Sequence, residues 1–116
     1  MPKILIVDDH ASFRSTARAL LEAEGLEVVG DAADGASALA AAERLHPDVV
    51  LLDVNLPDMD GFEVARKLRD SGSGSAVVLT SSHDSSDYGP LIGRSGANGF
   101  IPKASLSANA IVELVS

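Results

Sequence analysis

The sequence predicts an open α/β sandwich of three layers, in which five parallel strands alternate with helices in a single domain over residues 1–116. Two observations predict it. Short, apolar, β-branched runs recur at intervals of roughly 25 residues, and the segments between them carry apolar residues at helical periodicity. Strands that are apolar throughout and alternate with helices are typical of a parallel sheet that is covered on both faces.

The predicted strands are 4–7 (ILIV), 27–30 (EVVG), 48–52 (DVVLL), 76–79 (AVVL) and 99–101 (GFI). Periodicity does not give their order in the sheet. The common template for doubly wound, flavodoxin-like folds gives the order 2-1-3-4-5.

Two helices are indicated between the first three strands. One has an apolar face from Phe13 to Leu21, and Gly25 can end it in a left-handed conformation. Asp34 can cap the next helix, which Pro47 stops.

The later helices are less uniform. The third has Phe62, Ala65 and Leu68 on its inner face. Segment 81–99 should contain a fourth helix that begins near Tyr88 or Gly89, with Pro90 in its first turn. Segment 70–75 reads as a surface loop, and a short last helix is expected near 107–115.

Composition excludes several classes of protein. No apolar run is long enough to cross a membrane, and the absence of cysteine excludes disulfides and thiolate sites and agrees with a cytoplasmic location. Nine basic and 17 acidic residues give a net charge of −8. This charge repels phosphate backbones, so we do not expect the domain itself to bind nucleic acid.

Polar residues follow four of the predicted strands at their carboxyl ends, where open α/β sheets bind ligands. These residues are Asp8, Asp9, Asp53, Thr80, Ser81 and Lys103. In the order 2-1-3-4-5, the first and third strands flank the point where the strand order reverses. Three carboxylates are therefore expected to share one crevice with a hydroxyl group and an ammonium group.

Three carboxylates in one crevice need a counter-charge, because otherwise their pKa values rise. A divalent cation supplies it, and ligands that are all oxygen favour a hard ion such as Mg²⁺. A carboxylate nucleophile, a metal, Lys103 and the hydroxyl of Thr80 together predict a phosphoryl-transfer site. Each residue alone is weak support, since Asp9 could be a helix cap and Lys103 a solvated lysine.

Asp58 and Asp60 are interpreted as turn residues around Pro57. Gly61 is expected to take a backbone angle that other residues resist.

Over nearly its whole length the sequence resembles the receiver domain of two-component response regulators. The matching segments are ILIVDDH (4–10), VVLLDVNLPDMDG (49–61), VVLTSS (77–82) and GANGFIPK (96–103). The resemblance implies that Asp53 accepts a phosphoryl group from the phosphohistidine of a sensor histidine kinase or a phosphotransfer protein. It further implies that Asp9 and Asp53 bind Mg²⁺ directly, that Asp8 acts largely through water, and that Asn55 offers its backbone carbonyl.

The resemblance also implies a switch. Thr80 looks like the hydroxyl that turns towards the phosphoryl group, Lys103 looks like the lysine that contacts it, and Phe100 looks like the aromatic residue that swings inward. The distance in sequence from Thr80 to Lys103 is about one residue longer than the family pattern, which leaves Ser81 as an alternative. Here Ala104 follows Lys103 where the family has proline after a cis bond, so this loop is either trans or strained.

The partners implied by the resemblance are a kinase, an output domain or downstream protein, and a second copy of the chain through the face of the fourth helix, fifth strand and fifth helix. No membrane partner is implied. The fourth helix lies on this output face.

Three other functions share parts of this pattern. A phosphohydrolase with an aspartate nucleophile needs an acid two residues further on, and position 55 is Asn. A flavin or nucleotide site needs amide donors after the first strand, where Asp8 and Asp9 place negative charge. A pseudo-receiver that only binds partners stays open because of the Pro102-Lys103-Ala104 order.

Overall fold

The structure is a computed structural model that describes residues 2–72, 74–82 and 88–115. Within these residues, strands and helices alternate along the chain. The elements are β1 (Lys3–Val7), α1 (Ala11–Ala23), β2 (Glu27–Ala32), α2 (Gly35–Leu45), β3 (Val49–Asp53), α3 (Gly61–Asp70), β4 (Ala76–Ser81), α4 (Leu91–Arg94), β5 (Gly99–Pro102) and α5 (Ala108–Val115). A 3₁₀ turn, Lys103–Ser105, separates β5 from α5.

The described strands form one parallel sheet in the order β2-β1-β3-β4-β5, so the predicted fold class and strand order are confirmed. One apolar cluster joins the sheet to α1 and α5 through Leu21 and Ile111. The other joins the opposite face to α2 and α3 through Ala38 and Phe62, with α4 at its margin. Every residue of β3 is buried, which is expected for the central strand of a sheet that is covered on both faces.

The predicted signals for the ends of the first helices are confirmed. Gly25 follows α1 with a φ angle of 96°. Asp34 caps α2 by accepting a hydrogen bond of 2.7 Å from the Ser37 N–H. The helix ends at Leu45, and His46 takes the left-handed conformation at φ 48°. Pro47 follows His46 directly, and a helix usually ends at or before the residue that precedes a proline.

The predicted start of the fourth helix, near Tyr88 or Gly89, is wrong by two to three residues. Helix α4 begins at Leu91 and is only one turn long. The reason is Gly89, whose φ angle of 52° is incompatible with a right-handed helix, so the helix starts only after Pro90. Part of the segment for which we predicted this helix, residues 83–87, lies outside the described residues.

The loop after β5 contains no cis bond, since all peptide bonds of the described residues are trans. The Lys103–Ala104 bond is therefore trans, which is the first of the two alternatives that the sequence left open. Among the described residues, no helix combines the length and apolarity that a membrane crossing needs.

Candidate active site at the carboxyl ends of the strands

The carboxyl ends of β1, β3 and β4 bring the predicted residues to one edge of the sheet. Asp8 follows β1, and its backbone N–H bonds to Ala32 of β2 at 3.0 Å. Asp53 is the last residue of β3, and its register partner is Thr80 of β4. The sequence placed Thr80 and Ser81 after the fourth strand, whereas they are its last two residues.

Lys103 joins the carboxylates of β1 and β3. Its Nζ lies 2.6 Å from Oδ2 of Asp8 and 3.3 Å from Oδ2 of Asp53. The contact with Asp8 is a close ion pair with a buried carboxylate oxygen. Asp8 is fully buried and Asp53 nearly so, at 3% exposure, so solvent screens these charges poorly.

Two further contacts hold these groups in place. Oδ1 of Asp53 accepts a hydrogen bond of 3.1 Å from the Asn55 N–H. The Lys103 ammonium also lies over the ring of Phe13 in α1, 4.4 Å from its centre, which is a cation–π distance. The lysine is therefore held between two carboxylates and one aromatic face.

Burial and the neighbouring charges together shift the three pKa values in different directions. Burial, with a smaller contribution from the charge of Asp8, raises the pKa of Asp53 from 3.8 to about 6. Burial also acts on Asp8, but Lys103 and the His10 N–H outweigh it and lower the pKa of Asp8. Burial opposes the charge of Lys103, but the two carboxylates outweigh it and raise its pKa. One ammonium thus leaves Asp53 incompletely neutralised.

The donor set fits a divalent cation. Asp8, Asp9, His10 and Asp53 each offer one ligand atom, and these four atoms lie within 4.8 Å of one another. Most are carboxylate oxygens, which hard cations prefer. Three carboxylates lie around one ammonium here, so negative charge exceeds positive charge among these groups. Mg²⁺ would therefore find both ligands and a favourable electrostatic field here.

The loop after β3 depends on Gly61, but not for the reason predicted from the sequence. Gly61 is not among the glycines with a positive φ angle. A Cβ atom at Gly61 would meet the carbonyl oxygen of Asp53 and would lie 2.8 Å from Cα of Val54. Gly61 N–H also donates to the Val54 carbonyl at 2.7 Å. Glycine is needed because the start of α3 approaches the backbone of the site so closely.

Asp58 and Asp60 do more than form a turn. Asp60 caps α3 by accepting a hydrogen bond of 2.8 Å from the Glu63 N–H. Asp58 accepts hydrogen bonds from the Gly35 and Ala36 N–H groups at the start of α2, and these two bonds lower its pKa. The loop between β3 and α3 is thereby hydrogen-bonded to the N-termini of both α2 and α3.

The two candidate switch hydroxyls have different partners. Thr80 is fully buried, and its Oγ1 donates to the Ile101 carbonyl of β5 at 2.6 Å. Ser81, one residue nearer the open end of β4, has its Oγ 2.7 Å from the hydroxyl of Tyr88. The ring of Tyr88 lies between Phe62 and Phe100, with centroid distances of 5.6 and 5.7 Å. Phe100 is half-buried against the same cluster.

Sequence reasoning missed three residues at this edge. His10 lies beside Asp8 and Asp9, and its position directly after them was a usable signal. Arg14, in the first turn of α1, donates a hydrogen bond of 2.6 Å to the Asp8 carbonyl. Tyr88 contacts Ser81, seven residues earlier in the sequence, and no sequence pattern indicates such a contact.

Comparison with known proteins agrees with this geometry. The family model described as the response regulator receiver domain matches residues 4–116. The nitrate/nitrite response regulator NarP of Escherichia coli is 45% identical over 105 residues, and the match covers 89% of this chain and 48% of NarP. The transcriptional regulatory protein DegU of Brevibacillus brevis is 36% identical over 114 residues, covering 97% of this chain and 48% of DegU. The chain spans about half the length of these two relatives.

A solved signal receiver domain from Mycobacterium tuberculosis superimposes with a TM-score of 0.91 at 35% identity. The superposition covers 98% of this chain and 95% of that one. The similarity therefore extends over the whole sheet and its helices.

Proposed function

Because the chain belongs to the response regulator receiver domain family, we propose that it accepts a phosphoryl group on Asp53 from the phosphohistidine of a sensor histidine kinase or a phosphotransfer protein. The observation that carries the proposal is the setting of Asp53. It is a nearly buried carboxylate at the end of the central strand, with Lys103 and two further aspartates beside it.

In the proposed reaction, a carboxylate oxygen of Asp53 attacks the phosphorus atom. The new P–O bond forms as the P–N bond breaks. The electron pair of the P–N bond returns to the histidine nitrogen. The product is an aspartyl phosphate on this chain. Lys103, which pairs with Asp53 and Asp8 at rest, is positioned to neutralise charge on the incoming phosphoryl oxygens.

Asp9 and Asp53 would hold Mg²⁺ directly, with Asp8 acting through water and Asn55 through its backbone carbonyl. A bound Mg²⁺ would neutralise the charge that develops on the phosphoryl group. The chain's own part is positioning, since the Asn55 N–H fixes one oxygen of Asp53 and Lys103 fixes the other.

For the switch hydroxyl, the contacts favour Ser81 over Thr80. Thr80 is committed to the Ile101 carbonyl, and leaving it would cost a buried hydrogen bond between neighbouring strands. Ser81 lies at the end of β4 and contacts Tyr88, which precedes α4. A turn of Ser81 towards the phosphoryl group would break its contact with Tyr88, whose ring lies against Phe100. Comparing Thr80→Ala with Ser81→Ala for the structural response to phosphorylation decides between them.

The test of the central proposal is a chemical one. The protein is incubated with Mg²⁺ and a small phosphodonor such as acetyl phosphate, and its intact mass is measured. We expect one acid-stable, base-labile phosphate adduct in the wild-type chain and none in Asp53→Asn, which keeps the size of the side chain. Lys103→Ala should still take up some phosphate but show a weaker structural response.

A normal adduct in Asp53→Asn would overturn the assignment of the nucleophile. No adduct in the wild-type chain, alongside a receiver domain that does react, would favour the pseudo-receiver alternative. The phosphohydrolase alternative is disfavoured because Asn55 contributes its backbone N–H to Asp53 and its side chain is no acid.

The wider role is proposed from the relatives. We place the domain in the cytoplasm, where it would control an output domain or a downstream protein. Dimerisation through α4, β5 and α5 and the lack of direct nucleic-acid binding stay predictions. Sedimentation with and without phosphodonor tests the first, and a binding assay at low salt tests the second.

A further inference from the structure

The proposed metal site contains a nitrogen donor that none of the proposed roles uses. We propose that His10 is a metal ligand of this site, and that it gives the domain affinity for late first-row divalent ions such as Co²⁺, Ni²⁺ and Zn²⁺ beyond that for Mg²⁺. This inference rests on the proposed function, because it uses the same carboxylates.

The position of the imidazole carries the inference. Nδ1 of His10 lies 3.0 Å from Oδ1 of Asp9 and 3.1 Å from Oδ1 of Asp8. Two ligand atoms that neighbour each other around a six-coordinate ion, each about 2.1 Å from it, are about 3.0 Å apart. The ring nitrogen therefore already lies at a ligand-to-ligand distance from Oδ1 of Asp9, the carboxylate that is proposed to bind the ion directly.

The backbone presents this ring to the crevice. His10 precedes the first turn of α1 with an extended backbone, and its side chain makes no cap hydrogen bond to the helix. Its own N–H donates to Oδ1 of Asp8 at 2.8 Å, which fixes the residue against a fully buried carboxylate. The side chain itself is 66% exposed, so an ion from solvent reaches it without any rearrangement.

A simpler role for His10 is an ordinary hydrogen bond to the two carboxylates. The two roles differ in how the site selects ions. Mg²⁺ prefers oxygen ligands and keeps its waters, whereas imidazole is a good ligand for cobalt, nickel and zinc. A ligating His10 therefore changes affinity for one class of ion and hardly affects the other. A hydrogen-bonding His10 affects both classes alike, through the carboxylates.

The test is calorimetric titration of the tag-free chain with Mg²⁺, Co²⁺ and Ni²⁺. We expect His10→Ala to weaken Co²⁺ and Ni²⁺ binding at least tenfold and to change Mg²⁺ binding less than twofold. His46→Asn is the matched control, because it removes an exposed imidazole from the end of α2 and Asn tolerates the left-handed conformation found there. It should leave all three affinities unchanged. A second readout is the His10 ring resonances, which should shift when diamagnetic Zn²⁺ is added.

The outcomes separate this inference from the function on which it rests. If Asp9→Asn weakens Mg²⁺ binding but His10→Ala leaves the Co²⁺ and Ni²⁺ affinities as they were, the inference is wrong and the metal site stands. Equal losses for all three ions in His10→Ala would also overturn it, in favour of the hydrogen-bonding role. If neither Asp9→Asn nor Asp53→Asn weakens Mg²⁺ binding, the proposed metal site falls, and the inference with it.

Discussion

Asp53 is a carboxylate that the fold keeps at an electrostatic cost. It is nearly buried, it lies beside Asp8, and the nearest ammonium is shared between the two. A buried charge without full compensation raises its own pKa, as it does here, to about 6. A bound divalent cation would relieve this imbalance, and it would keep Asp53 ionised and able to act as a nucleophile.

This cost predicts how stability depends on pH. The pKa of Asp53 is higher in the folded chain than its usual 3.8, so its contribution to stability is fully present below about pH 4 and is lost as pH rises through about 6. Asp53→Asn removes that loss. With a chelator present, Asp53→Asn should therefore have a higher free energy of unfolding than the wild type above pH 6, by at most about 3 kcal/mol. The difference should shrink towards pH 4.

Urea unfolding at several pH values measures this difference. Asp70→Asn is the control, since it removes one negative charge at the exposed end of α3. A difference between Asp53→Asn and wild type that stays constant between pH 4 and 7 would contradict the raised pKa.

At the scale of elements, the junction between β3 and α3 is the tightest place near the site. Gly61→Ala would push a Cβ atom into the Asp53 carbonyl and the Val54 backbone, and neither can move without shifting β3. We expect a loss of about 1–3 kcal/mol in the free energy of unfolding, together with slower phosphate uptake, because Asp53 would shift. Denaturant titration and the phosphodonor assay measure the two effects.

Gly93→Ala is the matched control for that substitution. Gly93 lies in α4, has no atom within 4 Å of an added Cβ, and is not among the glycines with a positive φ angle. It should be neutral or slightly stabilising. If Gly61→Ala behaves like Gly93→Ala, the close approach at Gly61 is not a constraint.

These elements also show how far sequence reasoning reaches. Strands and the first three helices follow from local patterns, because apolar periodicity and caps such as Asp34 act within a few residues. Strand order came from a template and not from the residues. The start of α4 was misplaced because Pro90 suits a first turn, while Gly89 adopts a backbone angle that no composition specifies.

The site residues, too, include some that the sequence predicts and some contacts that it does not. Asp8, Asp53 and Lys103 were predicted because strand ends in a parallel sheet converge, so sequence position implies spatial position. Contacts between side chains that cross loops do not follow from this rule. The bonds of Thr80 to Ile101 and of Ser81 to Tyr88, and the bonds from Asp58 to α2, could be learned only from the folded chain.

At the scale of the whole molecule, the crevice and the α4 surface are connected by one short path. Asp53 neighbours β4 in register, β4 ends in Ser81, and Ser81 contacts Tyr88 just before α4. The ring of Tyr88 also lies against Phe100 of β5. Tyr88 thus contacts both the end of β4 and the ring of Phe100. These contacts connect the strand beside Asp53 to the face proposed for output.

This path predicts the effect of Tyr88→Phe. The substitution keeps the ring contacts with Phe62 and Phe100 but removes the hydroxyl that occupies Ser81 at rest. Since a hydrogen bond contributes about 1 kcal/mol net, its loss should favour the state in which Ser81 faces the phosphoryl group by about fivefold. Beryllofluoride, a phosphoryl analogue, should then bind Tyr88→Phe about fivefold more tightly than wild type in the presence of Mg²⁺.

Ser81→Ala and the double variant complete the test. Ser81→Ala should bind beryllofluoride more weakly than wild type. Adding Tyr88→Phe to Ser81→Ala should change nothing further, because the interaction that it removes is already absent. Equal gains from Tyr88→Phe in both backgrounds would mean that the tyrosine acts through its ring packing. Unchanged or weaker binding in Tyr88→Phe alone would mean that Ser81 does not have to leave Tyr88 when Asp53 is modified.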